Sequence, residues 1–172
     1  MNEQPSTFRV ALKWGLILGL VLVAYTLALY LTNTVGDTLP SLLAYPIIVV
    51  VLVLAMRDFR ALNNGFMSYG EGLTVGVVTA AVSSVLSSIF SYFYTNFIDT
   101  GATERAIEKI REKYEEMGMS DDQIETSMEM VQKMQNPVWT LVVGVFFYVL
   151  MGLIFSLIIA AIMKKEKTDV FE

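Results

Sequence analysis

The chain has 172 residues, is 55% hydrophobic, and carries a net charge of −5 with a mean hydropathy of +0.57. It contains no cysteine and no histidine, which excludes disulfides, thiol nucleophiles, imidazole acid–base chemistry and the usual zinc sites. Ten of its 17 acidic residues fall between Asp99 and Glu129, so the pI of 4.8 describes one segment, and no basic face for nucleic acid is present.

Four runs carry no charge at all: Trp14 to Gly36, Thr38 to Met56, Gly72 to Ile98 and Met134 to Met163. A bilayer-spanning helix needs about 20 mostly apolar residues. Each run reaches or approaches that length, so spans are expected at about 10–31, 39–56, 70–98 and 138–163. The first has Arg9 and Lys13 ahead of it, as a signal peptide would. Its apolar core is too long for one and no clean cleavage site follows, so it reads as an uncleaved anchor.

Residues 32–37 form the exit turn of the first span. Asp37 or Thr38 is placed to cap the second span, and Pro40 suits its first turn. Pro46 lies deeper and is expected to bend the helix or free a carbonyl. Arg57-Asp58-Phe59-Arg60 closes this span at the interface, and Asn63-Asn64-Gly65 is a turn signal. Ser68-Tyr69-Gly70-Glu71 then has the capping-box pattern and opens the third span. The uncharged part of that span corresponds to roughly 40 Å of helix, so it must tilt or protrude.

Between the third and fourth spans, the 99–136 segment holds 15 charges and must stay in water. Its pattern is a helical hairpin. Thr103 is placed to cap the first helix, Gly118 to stop it, and Ser120-Asp121-Asp122-Gln123 to box the second. Ile107, Ile110 and Tyr114 share one apolar face, and Ile124, Met128 and Val131 mark the other helix. These six residues are the candidate partner-docking face. The charges along 104–116 read as a solvated helix surface with local Glu–Lys and Glu–Arg pairs. Asn136-Pro137 sets the start of the last span, which ends at Lys164-Lys165.

Basic residues favour the cytoplasmic flanks. Close to the spans, one side carries Arg9, Lys13, Arg57, Arg60, Lys164, Lys165 and Lys167, whereas the other carries only Lys133. Both termini are therefore expected in the cytoplasm and the hairpin outside. Trp14 and Trp139 sit where interface aromatics belong.

The fold class expected is an all-α integral membrane protein. Four transmembrane helices form a single membrane domain over 1–172, with an amphipathic helical hairpin outside the membrane at 99–136. Four spans, Phe66-Met67-Ser68-Tyr69-Gly70-Glu71-Gly72 at the entry to the third, its serine-rich body, and an acidic segment containing Met117-Gly118-Met119-Ser120 together form a pattern. It resembles the bacterial four-span family catalogued as domain of unknown function 4199. That resemblance covers nearly the whole chain and implies a bacterial inner membrane, hence a periplasmic hairpin. It implies no activity and no catalytic residues.

Four sets of residues are candidates for more than packing. Glu71 is the carboxylate nearest an apolar run; a proton or cation site competes there with a plain capping box. Thr79, Ser83, Ser87 and Ser91 form a hydroxyl stripe that either lines a polar path or bonds neighbouring carbonyls. Small residues recur every four positions: Gly15 and Gly19; Gly72, Gly76, Ala80, Ser84 and Ser88; Gly152, Ser156 and Ala160. They let helix backbones meet, within one chain or between copies. Met117, Met119, Met128, Met130 and Met134 offer thioethers suited to Cu(I). Met128 and Met130 point apart, however, and no His or Cys assists, so an adaptable packing face is the better account.

No nucleophile–base pair is visible, so no enzyme, catalytic residue, metal or cofactor is expected. Two functions remain. The first is a non-enzymatic anchor or scaffold whose hairpin docks a protein partner, another copy or the membrane surface. The second is a transporter or channel for a small solute, ion or lipid, acting as an oligomer. Partners are then the lipid bilayer and either a protein or a second copy, but no nucleic acid.

Overall fold

The computed structural model describes residues 5–133 and 136–166. Met134 of the methionine set and Lys167 of the basic flank lie outside the described residues. The helices are α1 (Thr7–Leu31), α2 (Thr38–Leu42), α3 (Ala44–Leu62), α4 (Tyr69–Phe93), α5 (Ala102–Glu116), α6 (Asp121–Lys133) and α7 (Pro137–Met163). A π-helical turn over Tyr94–Ile98 extends α4. Four stretches, Thr7–Leu31, Thr38–Leu62, Tyr69–Ile98 and Val138–Met163, are long and apolar enough to cross a membrane. The protein is an all-α, four-span membrane protein with a helical hairpin between its last two spans.

Local chemistry sets most of the boundaries. Ser6 caps α1 by accepting from the Arg9 amide. Ser68 and Glu71 form the full capping box at α4, with Oε2 of Glu71 accepting from the Ser68 amide at 2.7 Å. Asn136 caps α7 through the amides of Val138 and Trp139. The second span is split. Pro46 has no N–H to offer the Leu42 carbonyl, and the helix breaks at Leu43. It then runs on to Leu62, past the expected end at Met56. The turn comes at Asn63, with Asn64 and Gly65 at positive φ. α5 ends in a Schellman motif: Gly118, at φ 74°, donates to Glu115, and Met119 donates to Tyr114. Gln123 accepts from the Ser120 amide at the start of α6, as the second box requires.

Two expected caps differ. Gly101, not Thr103, precedes α5, with no side-chain cap bond. Asp37 stands at the N-cap of α2 but makes no cap bond. Its carboxylate pairs instead with Lys109, 2.9 Å away on the hairpin.

α4 is the central helix. It packs along α1 on one side and α7 on another, and α3 touches all three. Hydrophobic burial does little to join helices already in lipid, so close contact at small residues carries the packing. A Cβ on Gly15 would lie 2.6 Å from Val82 Cβ, and one on Gly19 2.7 Å from Leu86 Cδ2. Across the other seam, a Cβ on Gly72 would meet Ala160 at 3.0 Å, one on Gly76 Ser156 Oγ at 2.1 Å, and one on Gly152 Ala80 at 2.2 Å. The small-residue ladders thus join helices of one chain.

The seam does not stay equally tight. At Gly144, two turns back along α7, a Cβ would meet only Ser88 Oγ, at 3.9 Å. α4 and α7 therefore touch most tightly near the end that holds Thr7 and Met163, and relax to ordinary van der Waals contact at Gly144. The apolar core follows the same gradient. Leu18, Leu52, Met56, Phe59, Met67 and Val75 are fully buried and belong to the tight half. That end is also tied by polar contacts. Asp58 accepts from Lys13 Nζ and Trp14 Nε1, both at 2.8 Å. Met67 and Lys165 exchange backbone bonds, and Arg60 donates to the Gly65 and Met163 carbonyls.

Candidate functional site

Where α4 and α7 relax, they leave a cavity of about 830 Å³ beneath the hairpin. Thr26 and Tyr30 of α1 form one wall, and Ser87, Ser88 and Ser91 of α4 line the centre with Thr95 of the π-helical turn. Trp139, Gly144 and Tyr148 of α7 close the far side. Thr103 and Ile107 of α5 and Val131 of α6 roof it. More than half of the lining residues carry a hydroxyl, and no charged side chain lines it among the described residues.

The serine-rich sequence of α4 explains this wall. Its hydroxyl stripe crosses from the tight half into the looser half. Thr79 is fully buried, and its hydroxyl donates to the Ala11 carbonyl of α1 at 3.3 Å. Ser83 donates back to Ala80 at 2.9 Å. Both act as glue between or within helices. One turn further, Ser87 is 8% exposed, and its hydroxyl has no partner among the described residues. Ser91, a turn beyond, lines the cavity beside Tyr30. The stripe therefore divides into two packing residues and two cavity residues.

Glu71 lies at the opposite end of α4 from the cavity. Both arms of its capping box are made, which accounts for its position without a bound ion. Replacing Ser68 by alanine is expected to cost about 1 kcal/mol of stability. A thermal melt of the Ser68→Ala variant beside the parent reads the loss.

Of the six hairpin residues expected to face a partner, four are covered or border the cavity and two are half-exposed. Ile124 and Met128 are buried, Ile107 and Val131 line the cavity, and Ile110 and Tyr114 are half-buried. α5 and α6 pack on each other, so their apolar faces serve the hairpin and the cavity roof. Met117 and Met130 are left exposed, on a surface otherwise rich in carboxylates.

A second set of residues escaped the sequence reading. The loop joining α1 to α2 receives the basic side chains of α5. Lys109 Nζ pairs with Asp37 and also donates to the Asn33 carbonyl, and Lys113 Nζ donates to the Gly36 carbonyl at 3.0 Å. Arg105 pairs with Asp99 at the end of the π-helical turn. These cations were expected to pair locally along α5. They reach other segments instead and clamp the hairpin over the cavity. Only the partners' positions in space reveal this, because Asp37 and Lys109 are 72 residues apart. Tyr30 and Tyr94 stack at 4.4 Å beside the same clamp, which fixes the end of α1 against the end of α4.

A family described as "Protein of unknown function (DUF4199)" matches residues 13–165. No curated protein matches the chain, and no solved structure does.

Proposed function

We propose, from the premise that this chain belongs to the DUF4199 family, whose description assigns no activity, that it binds and handles a small lipid-soluble molecule. The observation that carries this is the cavity: about 830 Å³, lined by hydroxyl and apolar groups, at the hairpin end of the bundle. Ligand sites commonly fall in the range of about 300–1,000 Å³, with apolar walls and a few polar groups that orient the guest. The protein acts by binding rather than by chemistry, since the wall offers hydroxyls without an acid–base partner. The setting is a bacterial inner membrane with both termini cytoplasmic and the hairpin periplasmic. The basic residues flanking the tight end of the bundle support that orientation.

The anchor reading has less to stand on, because the apolar face it needs is spent on the cavity roof. To dock a partner by that face, the hairpin would first have to release Lys109 and Lys113. Native mass spectrometry of the protein extracted gently from its own membrane tests the choice. A discrete small molecule or single lipid retained by each chain is the expected result. A stoichiometric second protein on a chain with no small-molecule adduct would favour docking instead.

A further inference from the structure

The cavity also constrains the chemistry of its guest. Resting on the binding reading above, we propose that the guest is an uncharged, single-chain amphiphile. Its hydrogen-bonding head meets Ser87 and the neighbouring hydroxyls.

Charge is the first constraint. No ionic side chain lines the cavity among the described residues. Arg105 and Lys109 line an adjoining pocket of about 40 Å³ that shares Tyr30, Val35, Ala102 and Ala106 with the cavity, and both are already paired, with Asp99 and Asp37. A charged head leaving water would find nothing here to offset its lost solvation. The hydroxyl wall, in contrast, both donates and accepts, which suits an alcohol, ether or amide head.

Ser87 supplies the second constraint. A buried hydroxyl without a partner is costly, and an orphan in a native structure calls for an explanation. The other buried hydroxyl without a partner, Ser156, is held against Gly76 in the tight seam, where no guest fits. Ser87 differs because its residue belongs to the cavity wall: its oxygen is covered in this conformation, and a turn about χ1 would present it to a guest.

Size and the remaining wall give the third. About 830 Å³ lies in the range that takes one drug-sized molecule, which favours one acyl or prenyl chain over the two chains of a phospholipid. Ile107, Val131, Leu141 and Val143 provide the apolar surface for that chain.

Trp139 lines the cavity, whereas Trp14 bonds Asp58 at the far end of the bundle. In a Trp14→Phe background, Trp139 is the sole tryptophan and reports on occupancy. The full chain is placed in phosphatidylcholine nanodiscs and titrated with three probes of one chain length, each brominated at the chain end. These are dodecylglycerol ether, dodecylsulfonate and dodecyltrimethylammonium. The neutral probe is expected to quench Trp139 saturably, with an apparent Kd at least about tenfold below either ion. Ser87→Ala should weaken it about fivefold, the effect of one hydrogen bond. Gly144→Leu, which projects a side chain into the cavity beside Ser88, should weaken the saturable phase. If either ion binds as tightly as the neutral probe, the inferred guest class is wrong while the binding reading stands. If Ser87→Ala changes nothing, the assignment of the head to Ser87 fails. If none of the three quenches saturably, both the guest class and the binding reading are overturned.

Discussion

Leucine at Gly152 destabilises the bundle, and leucine at Gly144 leaves it folded. Both glycines face α4 from the same helix, eight residues apart, so chemistry and helix propensity are matched between the two changes. Space is what differs. At Gly152 even a Cβ would lie 2.2 Å from the Ala80 Cβ, a separation that real atoms do not tolerate, so α4 and α7 must move apart. Overpacking of that kind costs about 1–3 kcal/mol and occasionally more. For a chain of this size the melting temperature should fall by about 5–10 °C. At Gly144 the nearest heavy atom is Ser88 Oγ at 3.9 Å, and the added side chain has the cavity to enter. Its melting temperature should stay within about 2 °C of the parent. Equal losses at both sites would mean that α4 and α7 are packed evenly along their length and that the cavity is closed.

Removing the hairpin clamp by Lys109→Ala with Lys113→Ala should raise amide hydrogen exchange along α5 and α6 by about tenfold. Exchange in α1 and α4 near Gly15 and Gly76 should not change. The double change removes the ion pair to Asp37 and the donors to the Asn33 and Gly36 carbonyls. The clamp lies at the edge of the bundle, with the Lys109 side chain 29% and the Asp37 side chain 41% exposed. Solvent screening therefore keeps each contact modest, and the effect comes from losing several at once. What remains of the hairpin's hold is its apolar face over the cavity and the chain connections at Asp99 and Asn136. Faster exchange confined to the hairpin would show that the clamp holds it against the bundle. Unchanged exchange would mean that the roof is held by its apolar contacts alone.

Much of this was legible in the chain because the bilayer imposes a simple code. Charge-free runs of about 20 residues can hardly be anything but spans, since each backbone group must bond within its own helix. The capping box at Ser68 and Glu71 and the stop at Gly118 are equally local, and they appear where their spacing placed them. The break at Leu43 follows from Pro46 by the same kind of reasoning. The site was less legible because it depends on a loosening between two helices. Small residues at Gly144, Gly152 and Ser156 look alike in sequence, yet only the last two touch α4 closely. The stripe from Thr79 to Ser91 likewise reads as one feature, although Thr79 bonds α1 and Ser87 belongs to the cavity wall. The amphipathic hairpin suggested an outward docking face, because periodicity marks which residues share a face but not what covers it. The clamp to Asn33, Gly36 and Asp37 joins segments far apart in the chain and has no local pattern.

The proposed function requires that the cavity hold a small molecule, and occupancy can be read directly. The protein and its Gly144→Leu variant are extracted side by side from the native membrane and compared by native mass spectrometry. The prediction is one discrete small-molecule or lipid adduct per chain in the parent and a lower occupancy in the variant, with both chains equally folded. The same occupancy on both chains, or a parent that emerges bare, would contradict it.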